Sequence, residues 1–435
     1  MQPVDLAISA AWTLPIAPAG VLTGHVVLVN AGRIVAIVPE ELARRDYAAT
    51  QRVVLDHHVL MPGLVNAHTH TAMTLLRGIA DDVPLATWLS DHIWTREAKF
   101  LTPEFVHDGA ALGAAEMLRG GTTCCNDMYF YPEAAAQAYQ QTGLRAVLGL
   151  PILDFPTPYA SDADAYLKAG LAARDALRHV PRLSFMLAPH APYTVGDASF
   201  QRVVTYARQL DMPIQTHLQE TRHERDDAFA KTGETPLMRL DRLGATGPGF
   251  VAVHAVHLAP GDIDLLAAQR CHVVHCPASN MKLASGIAPV AQLLDRGVNV
   301  ALGTDGAASN NRLDMFFEMR LASLLAKVAT GDASAVPAAT ALHMATLGGA
   351  QALSLEASIG SLEPGKEADM IAVDLSRLDD APMYDPVSHL VHVVGREGVT
   401  DVWVAGQRVV RDRTLVNVDE HALVARARLW QHKLG

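Results

Sequence analysis

The chain has 435 residues, of which 50% are hydrophobic and 19% are charged, and its formal net charge is −11 at pH 7. This composition supports a packed core and excludes a disordered chain. Because the chain is acidic and contains no run of Lys or Arg, we expect neither nucleic acid nor an anionic membrane as a partner.

The cysteine content and the hydropathy indicate the compartment. Four cysteines are present without a Cys-x-x-Cys pair, too few for a disulfide framework in a chain of this length. No apolar stretch approaches the roughly 20 residues of a membrane span, and the first residues lack the basic and apolar regions of a signal peptide. We therefore predict a soluble cytoplasmic protein.

Strand patterns lie near both ends of the chain. They are short alternating or β-branched runs between turn residues, at residues 5–8, 24–29, 33–38, 370–373, 399–404 and 408–411. Between about residue 60 and about residue 355, short apolar runs alternate instead with helical stretches. Such alternation indicates a parallel sheet with helices outside it, which here means a barrel.

These patterns predict an α/β protein with two units. Residues 59–359 are expected to form a (β/α)8 barrel of the TIM type, a fold that commonly takes about 250 residues as one unit. Residues 1–58 and 360–435 are expected to form one discontinuous small β-sandwich domain.

The first chemical signal is a pair of histidines, His68 and His70, that follows the apolar run at residues 59–65. Side chains alternate faces along an extended strand, so these two imidazoles project the same way. They can therefore hold one metal ion between them.

Later strand patterns also end on polar residues. In a parallel barrel the active site lies at the carboxyl ends of the strands, so such residues are expected to meet. In chain order they are His190, His217, His254 and Asp305. Imidazole nitrogen and carboxylate oxygen are ligands that Zn²⁺ prefers.

At this point the sequence resembles a known family. The metal-dependent hydrolases of the amidohydrolase superfamily share the motifs PGLVNAHTH at residues 62–70 and GTDG at residues 303–306, together with His217 and His254. Further motifs resemble the deaminases that act on 5'-methylthioadenosine and S-adenosylhomocysteine. They are MTLLRG at 73–78, DMY at 127–129, PHAPY at 189–193, HLQE at 217–220 and PASNMKL at 277–283.

The resemblance implies a zinc site with four ligands, which are His68, His70, His217 and Asp305. In relatives with two metals, a modified lysine at the fourth strand end bridges the ions. His190 stands at that position here, so we expect one ion per chain. A site of this composition also binds Fe, Mn or Co.

Three residues are implied as catalytic groups. Glu220 would deliver a proton to the substrate ring, His254 would hydrogen-bond the attacking water, and Asp305 would also carry a proton. The residues by themselves leave alternatives, because Glu220 could be a solvated loop carboxylate and His257 could exchange roles with His254.

The substrate contacts are also implied by the resemblance. Glu97 would accept hydrogen bonds from both ribose hydroxyls, while His190 and Glu220 would contact the nucleoside. Trp88 would offer an aromatic face, and Arg182 would bind the amino-acid carboxylate of a long substrate. By the residues alone, Glu97 could belong to a solvated charged face and Trp88 could be a core or lid residue.

We therefore predict a zinc-dependent aminohydrolase that converts 5'-methylthioadenosine, and also S-adenosylhomocysteine and adenosine, to the inosine analogue with release of ammonia. Residues 151–173 contain no arginine, which favours methylthioadenosine. The partner is a small nucleoside, and homo-oligomers are compatible with the sequence. Guanine or a chlorinated triazine is the alternative substrate, and a non-catalytic binding barrel is the alternative from another class.

Overall fold

The computed structural model describes residues 1–435, and its first sheet contains strands from both ends of the chain. Its eight strands are β1 (Gln2–Thr13), β2 (His25–Asn30), β3 (Arg33–Pro39), β4 (Tyr47–Pro62), β13 (Met370–Asp374), β14 (Val399–Val404), β15 (Gln407–Arg411) and β16 (Thr414–Leu415). Their order in the sheet is β16-β15-β14-β13-β4-β1-β2-β3. The two ends of the chain thus meet where β4 pairs with β13.

The second sheet is a parallel eight-stranded barrel in which every strand pairs with its neighbour in the sequence. Its strands are β5 (Leu64–Thr69), β6 (Thr122–Met128), β7 (Arg145–Ile152), β8 (Leu183–Pro189), β9 (Ile214–Leu218), β10 (Phe250–His254), β11 (His272–His275) and β12 (Asn299–Leu302). The backbone amides of Thr304 and Asp305 donate to the carbonyl oxygen of His68 at 3.1 and 3.0 Å, which ties the last strand to the first. The predicted barrel with a separate β unit is confirmed.

Eighteen α-helices accompany the two sheets. They are α1 (Glu40–Asp46), α2 (Leu85–Thr87), α3 (Trp94–Phe100), α4 (Pro103–Arg119), α5 (Pro132–Thr142), α6 (Ala163–Leu177), α7 (Asp197–Leu210), α8 (Arg222–Thr232), α9 (Pro236–Arg242), α10 (Pro260–Ala268), α11 (Pro277–Lys282), α12 (Val290–Asp295), α13 (Ala307–Asn310), α14 (Met315–Thr330), α15 (Ala338–Met344), α16 (Leu347–Ala352), α17 (Pro386–His392) and α18 (Glu420–Leu434). None of them is long and apolar enough to pass through a membrane. A π-helical turn, Trp88–Ile93, joins α2 to α3.

The small sheet leads directly into the first strand of the barrel. Only Gly63 separates β4 from β5, and a Cβ atom at that position would lie 2.0 Å from Oγ1 of Thr123. Only glycine therefore fits where the chain passes from one sheet to the other. The division at residues 58/59 and 359/360 stays a prediction.

A buried ion pair joins the two sheets at the end of the barrel opposite the carboxyl ends of its strands. The guanidinium of Arg145, at the start of β7, donates to both carboxylate oxygens of Asp369 at 2.9 and 3.0 Å and also to Glu367. Asp369 accepts a further bond from the backbone amide of Ala405 at 2.7 Å. Arg145 and Asp369 are both buried, so each depends on the other for its charge partner.

The last barrel strand is short. β12 spans only Asn299–Leu302, and Asp305 follows in an irregular turn with a φ angle of +59°. The turn brings the Asp305 carboxylate back toward β5, which a straight strand would not do. Residues in this left-handed region of backbone conformation are rare and concentrate at functional sites.

Candidate active site

The four predicted metal ligands lie together at the carboxyl ends of barrel strands. His68 is in β5, His70 follows it, His217 is in β9, and Asp305 follows β12. We call these four residues the metal cluster. Nε2 of His68 is 3.2 Å from Nε2 of His217 and 3.7 Å from Oδ1 of Asp305, and Nε2 of His70 is 3.2 Å from the same oxygen.

These separations fit one tetrahedral ion. Ligands that each lie about 2.0 to 2.2 Å from a zinc ion in tetrahedral geometry are roughly 3.3 to 3.6 Å from one another. The hydrogen bonds of the other ring nitrogens agree, because Nδ1 of His70 donates to the carbonyl of Met128 at 2.6 Å and Nδ1 of His217 donates to that of His190 at 2.7 Å. In the neutral imidazoles both Nε2 atoms therefore carry lone pairs that point at the shared position. Carbonyl partners of this kind orient metal-binding histidines.

Asp305 is fixed by two serines. The hydroxyls of Ser279 and Ser309 donate to its Oδ2 at 2.7 and 2.8 Å, which leaves Oδ1 facing the imidazoles. Burial opposes ionisation of this carboxyl, but its interactions with the imidazoles of His68 and His70 hold its pKa well below the usual range. Asp305 is therefore an anion that faces the imidazole lone pairs, as a cation ligand must be.

Glu220 and His254 lie side by side next to the metal cluster, with 3.8 Å between Oε2 of Glu220 and Nε2 of His254. Both are buried, and burial raises the pKa of Glu220. Ser285 donates to the other oxygen of Glu220 at 3.0 Å. A buried carboxyl with a raised pKa keeps its proton to a higher pH than an exposed one, which favours a general acid.

Nδ1 of His254 is 2.8 Å from Oδ1 of Asn280, so its N–H is used there and Nε2 is left for a ligand. Ring nitrogens of His254, His68 and His217 also lie within 4.8 Å of one another, so His254 borders the metal cluster. His257 instead hydrogen-bonds the carbonyl of Ser285 at 2.6 Å and does not line the pocket. The geometry thus favours His254 over His257 for contact with a ligand.

The turn that carries Glu220 is held by a carboxylate that the sequence reading did not consider. The backbone amides of Gln219 and Glu220 both donate to Glu224 at 3.0 Å, and Thr221 caps α8 by accepting from the amide of Glu224 at 3.2 Å. The signal was available, because Thr-x-x-Glu at residues 221–224 is a helix-start pattern. The sequence did not show, however, that Glu224 holds the turn carrying Glu220.

Glu97 is buried in α3 at the pocket and accepts a hydrogen bond from the hydroxyl of Tyr129 at 2.6 Å. Burial raises the pKa of Glu97 to about 7 against the effect of that hydrogen bond. It is therefore not part of a solvated charged face. Tyr129 belongs to a motif quoted for the resemblance, but its role as the partner of Glu97 could not be read from spacing.

His190 and Trp88 also line the pocket. Nδ1 of His190 is 2.9 Å from the hydroxyl oxygen of Thr194, and burial lowers the pKa of His190 to about 3, so the ring is neutral. The indole of Trp88 is 4% exposed, and its N–H has no hydrogen-bond partner within the protein. A buried donor of this kind at a pocket is available to a ligand.

Arg182 does not join the other predicted residues. It precedes β8 at the amino end of the strand, and its guanidinium donates to the carbonyl of Gly143 and to the side chain of Gln407 in the small sheet. Because the pocket opens at the carboxyl ends of the strands, the geometry contradicts a substrate contact by Arg182. The sequence shows that Arg182 lies near β8, but residue type alone does not show at which end of that strand its side chain lies.

All the other predicted site residues except the fully buried His68 line one cleft of about 830 Å³. The lining also includes apolar and aromatic side chains that were not predicted, among them Leu89, Trp94, Phe130, Leu153 and Phe155. We call these five residues the aromatic wall.

Comparison with known proteins agrees with this geometry. The amidohydrolase family profile matches residues 59–409. A 5-methylthioadenosine/S-adenosylhomocysteine deaminase of Teredinibacter turnerae is 48% identical over 99% of this chain and 98% of its own length.

Two solved structures have the same fold. An adenosine deaminase from Xanthomonas campestris with bound zinc is 50% identical, with a TM-score of 0.98 over 100% of this chain and 99% of that one. An atrazine chlorohydrolase from Arthrobacter aurescens complexed with zinc has a TM-score of 0.91 over 98% of this chain and 99% of that one, but at 23% identity it is informative about the fold alone. The chain belongs to the amidohydrolase family, among the 5-methylthioadenosine/S-adenosylhomocysteine deaminases, and is a metal-dependent aminohydrolase.

Proposed function

We propose that this enzyme uses one zinc ion to deaminate 5'-methylthioadenosine to its inosine analogue and ammonia, with adenosine as a smaller substrate of the same site. The observation that carries the proposal is the metal cluster, in which three imidazoles and one carboxylate converge beside Glu220 and His254. The names of the similar deaminases support the substrate class.

The metal cluster would hold the zinc, with His68, His70, His217 and Asp305 as ligands. A bound zinc ion supplies Lewis-acid activation of the attacking water. Iron, manganese or cobalt would suit the same donors.

The residues around the ion would move the protons. Glu220 is buried and has a raised pKa, so it holds a proton for the ring nitrogen when an adenine lies against it. His254 keeps Nε2 free to hydrogen-bond the attacking water, because Asn280 occupies its other nitrogen. Asp305, with two serines on one oxygen, would pass a proton toward the departing ammonia through the other.

Glu97, His190 and Trp88 would bind the nucleoside. Glu97 can accept from two vicinal hydroxyls of a ribose when it is ionised, and Tyr129 already fixes one of its oxygens. The neutral His190 and the unpartnered indole N–H of Trp88 would contact the nucleoside beside it.

Two assays test the proposal. Metal analysis of the gently purified enzyme should find about one zinc per chain, and the ultraviolet change on deamination should show turnover of methylthioadenosine and adenosine. Guanine and chlorinated triazines should not react at comparable kcat/KM. If none of the adenine nucleosides turns over, the proposed substrate class is wrong, even with the metal present.

We also propose that the enzyme works in the cytoplasm on free nucleosides, without nucleic acid or membrane partners. The net charge of −11 and four buried cysteines without a disulfide support this. Light scattering of the purified enzyme would establish whether it is a homo-oligomer.

A further inference from the structure

We propose that the aromatic wall selects nucleosides whose 5' substituent is uncharged and apolar, and that it discriminates against the zwitterionic amino-acid group of S-adenosylhomocysteine. This inference rests on the proposed function. It concerns the part of the substrate beyond the ribose. The similar deaminases are named for two substrates, methylthioadenosine and S-adenosylhomocysteine, which differ there in charge.

The charges that line the cleft are all acidic. The lining includes the carboxylates Glu97, Glu220 and Asp305 but no lysine and no arginine. A substrate carboxylate inside this cleft would lose its hydration without gaining a cationic partner.

The arginines near the cleft in sequence are used elsewhere. Arg182 contacts the small sheet at the other end of β8. Arg96, next to Glu97 in α3, donates to the carbonyl of His92 at 3.0 Å and does not line the cleft. In residues 151–173, Lys168 is the only Lys or Arg, and it is exposed on α6. None of these three cations lines the cleft, and neither does any other lysine or arginine.

The aromatic wall is backed by further rings that hold it in place. The ring of Trp94 is 5.7 Å from that of Phe155, and Phe130 lies 6.1 Å from Tyr159 and 6.4 Å from Tyr166. Packed rings of this kind shift little, so the surface they present stays apolar.

The hydroxyl oxygen of Thr157, which also lines the cleft, accepts from the hydroxyl of Tyr166 at 2.6 Å and from the backbone amide of Tyr159 at 3.2 Å. The five side chains of the aromatic wall carry no charge, and the indole N–H of Trp94 is their one polar group. The wall offers an apolar surface against which each added methylene of a thioether can gain roughly fourfold in binding.

The decisive experiment compares two substrates with the same thioether chain up to its branch point and different charge. One is S-adenosylhomocysteine, and the other is 5'-(3-methylbutylthio)adenosine, whose two methyl groups replace the ammonium and carboxylate. With the zinc enzyme, we expect kcat/KM to be at least about 30-fold higher for the uncharged compound. Equal values, or a preference for S-adenosylhomocysteine, would overturn the inference.

A variant pair tests whether the wall itself makes the choice. Phe155→Arg places a cation in the wall, and Phe155→Met is the uncharged control of similar length. The ratio of kcat/KM for S-adenosylhomocysteine to that for the uncharged compound should rise at least about tenfold in Phe155→Arg relative to Phe155→Met. If the ratio does not move while both variants still deaminate adenosine, the wall is not the determinant.

Adenosine separates this inference from the proposed function. It carries no thioether, so its deamination depends on the metal cluster, Glu220 and Glu97 but not on a group beyond the 5' carbon. If adenosine is deaminated but the two thioethers react equally well, only the inference about the aromatic wall is rejected. Failure to deaminate adenosine and both thioethers rejects the proposed function and the inference with it.

Discussion

The two ends of the barrel use buried polar groups in opposite ways. At the amino ends of the strands, Arg145 and Asp369 are partners of one another, with Glu367 and the backbone amide of Ala405 as further partners. At the carboxyl ends, the hydrogen bonds of His70 and His217 go outward to backbone carbonyls, so their remaining nitrogens face a shared position. Buried polar groups whose hydrogen-bond partners are other protein groups stabilise the fold. Buried groups that keep an unused lone pair facing a shared position can bind a ligand.

The largest effect should come from breaking the metal cluster. We expect His217→Asn to lose most of the bound zinc and to reduce kcat/KM below about 10⁻⁴ of wild type, because a ligand is lost. Metal analysis and the ultraviolet assay would measure both. His223→Asn, on the exposed surface of α8, is the control and should keep both. A variant that lost activity with its zinc intact would remove His217 from the ligand set.

The Glu220→Gln substitution should cause the next largest loss of activity. The amide keeps the shape of the side chain but cannot transfer a proton, so we expect kcat to fall about 10² to 10⁴-fold with KM changed little. Zinc content should be unaffected. A parallel loss of zinc would show that Glu220 acts on the metal site and not on the substrate ring.

The Arg145→Met substitution tests the buried ion pair at the amino ends of the barrel strands. Removing one member of a buried ion pair leaves Asp369 uncompensated, so the free energy of unfolding should fall by about 3 to 5 kcal/mol. Urea titration would measure this, and Arg178→Met, an exposed arginine, should change the stability little. The kcat of the folded Arg145→Met enzyme should stay near wild type, and a large loss would mean that the two ends are coupled.

Glu97→Gln should have the smallest effect and a distinct pH dependence. Because burial raises the pKa of Glu97 to about 7, the carboxylate that accepts ribose hydroxyls is present above that pH and lost below it. We expect kcat/KM for nucleosides to rise with pH through about 7 in the wild type, and the variant to lose that step. The loss at pH 8 should be about 10 to 100-fold, the cost of charged hydrogen bonds. An unchanged pH profile in the variant would assign the step to another group.

The barrel and the polar residues at the carboxyl ends of its strands could largely be predicted from the sequence. Alternating strand and helix patterns mark the barrel, and a histidine at each of several strand ends is a local pattern that the barrel brings together. The aromatic wall could not be predicted, because Trp94 begins α3, Phe130 follows β6 and Phe155 follows β7, and each looks like an ordinary apolar residue in its own segment. Arg182 failed for a related reason, since residue type alone does not say at which end of a strand a side chain lies.

The single glycine between the two sheets has a consequence for folding during synthesis. β5, which carries the first metal ligands, continues β4, and β4 is bordered by β1 on one side and by β13 on the other. Asp305, the last residue of the metal cluster, is synthesised well before β13, which begins only at Met370. Pairings between distant segments form slowly. We therefore expect the nascent enzyme to acquire tight zinc binding late, when the last sixth of its chain has joined the strand that began near residue 47.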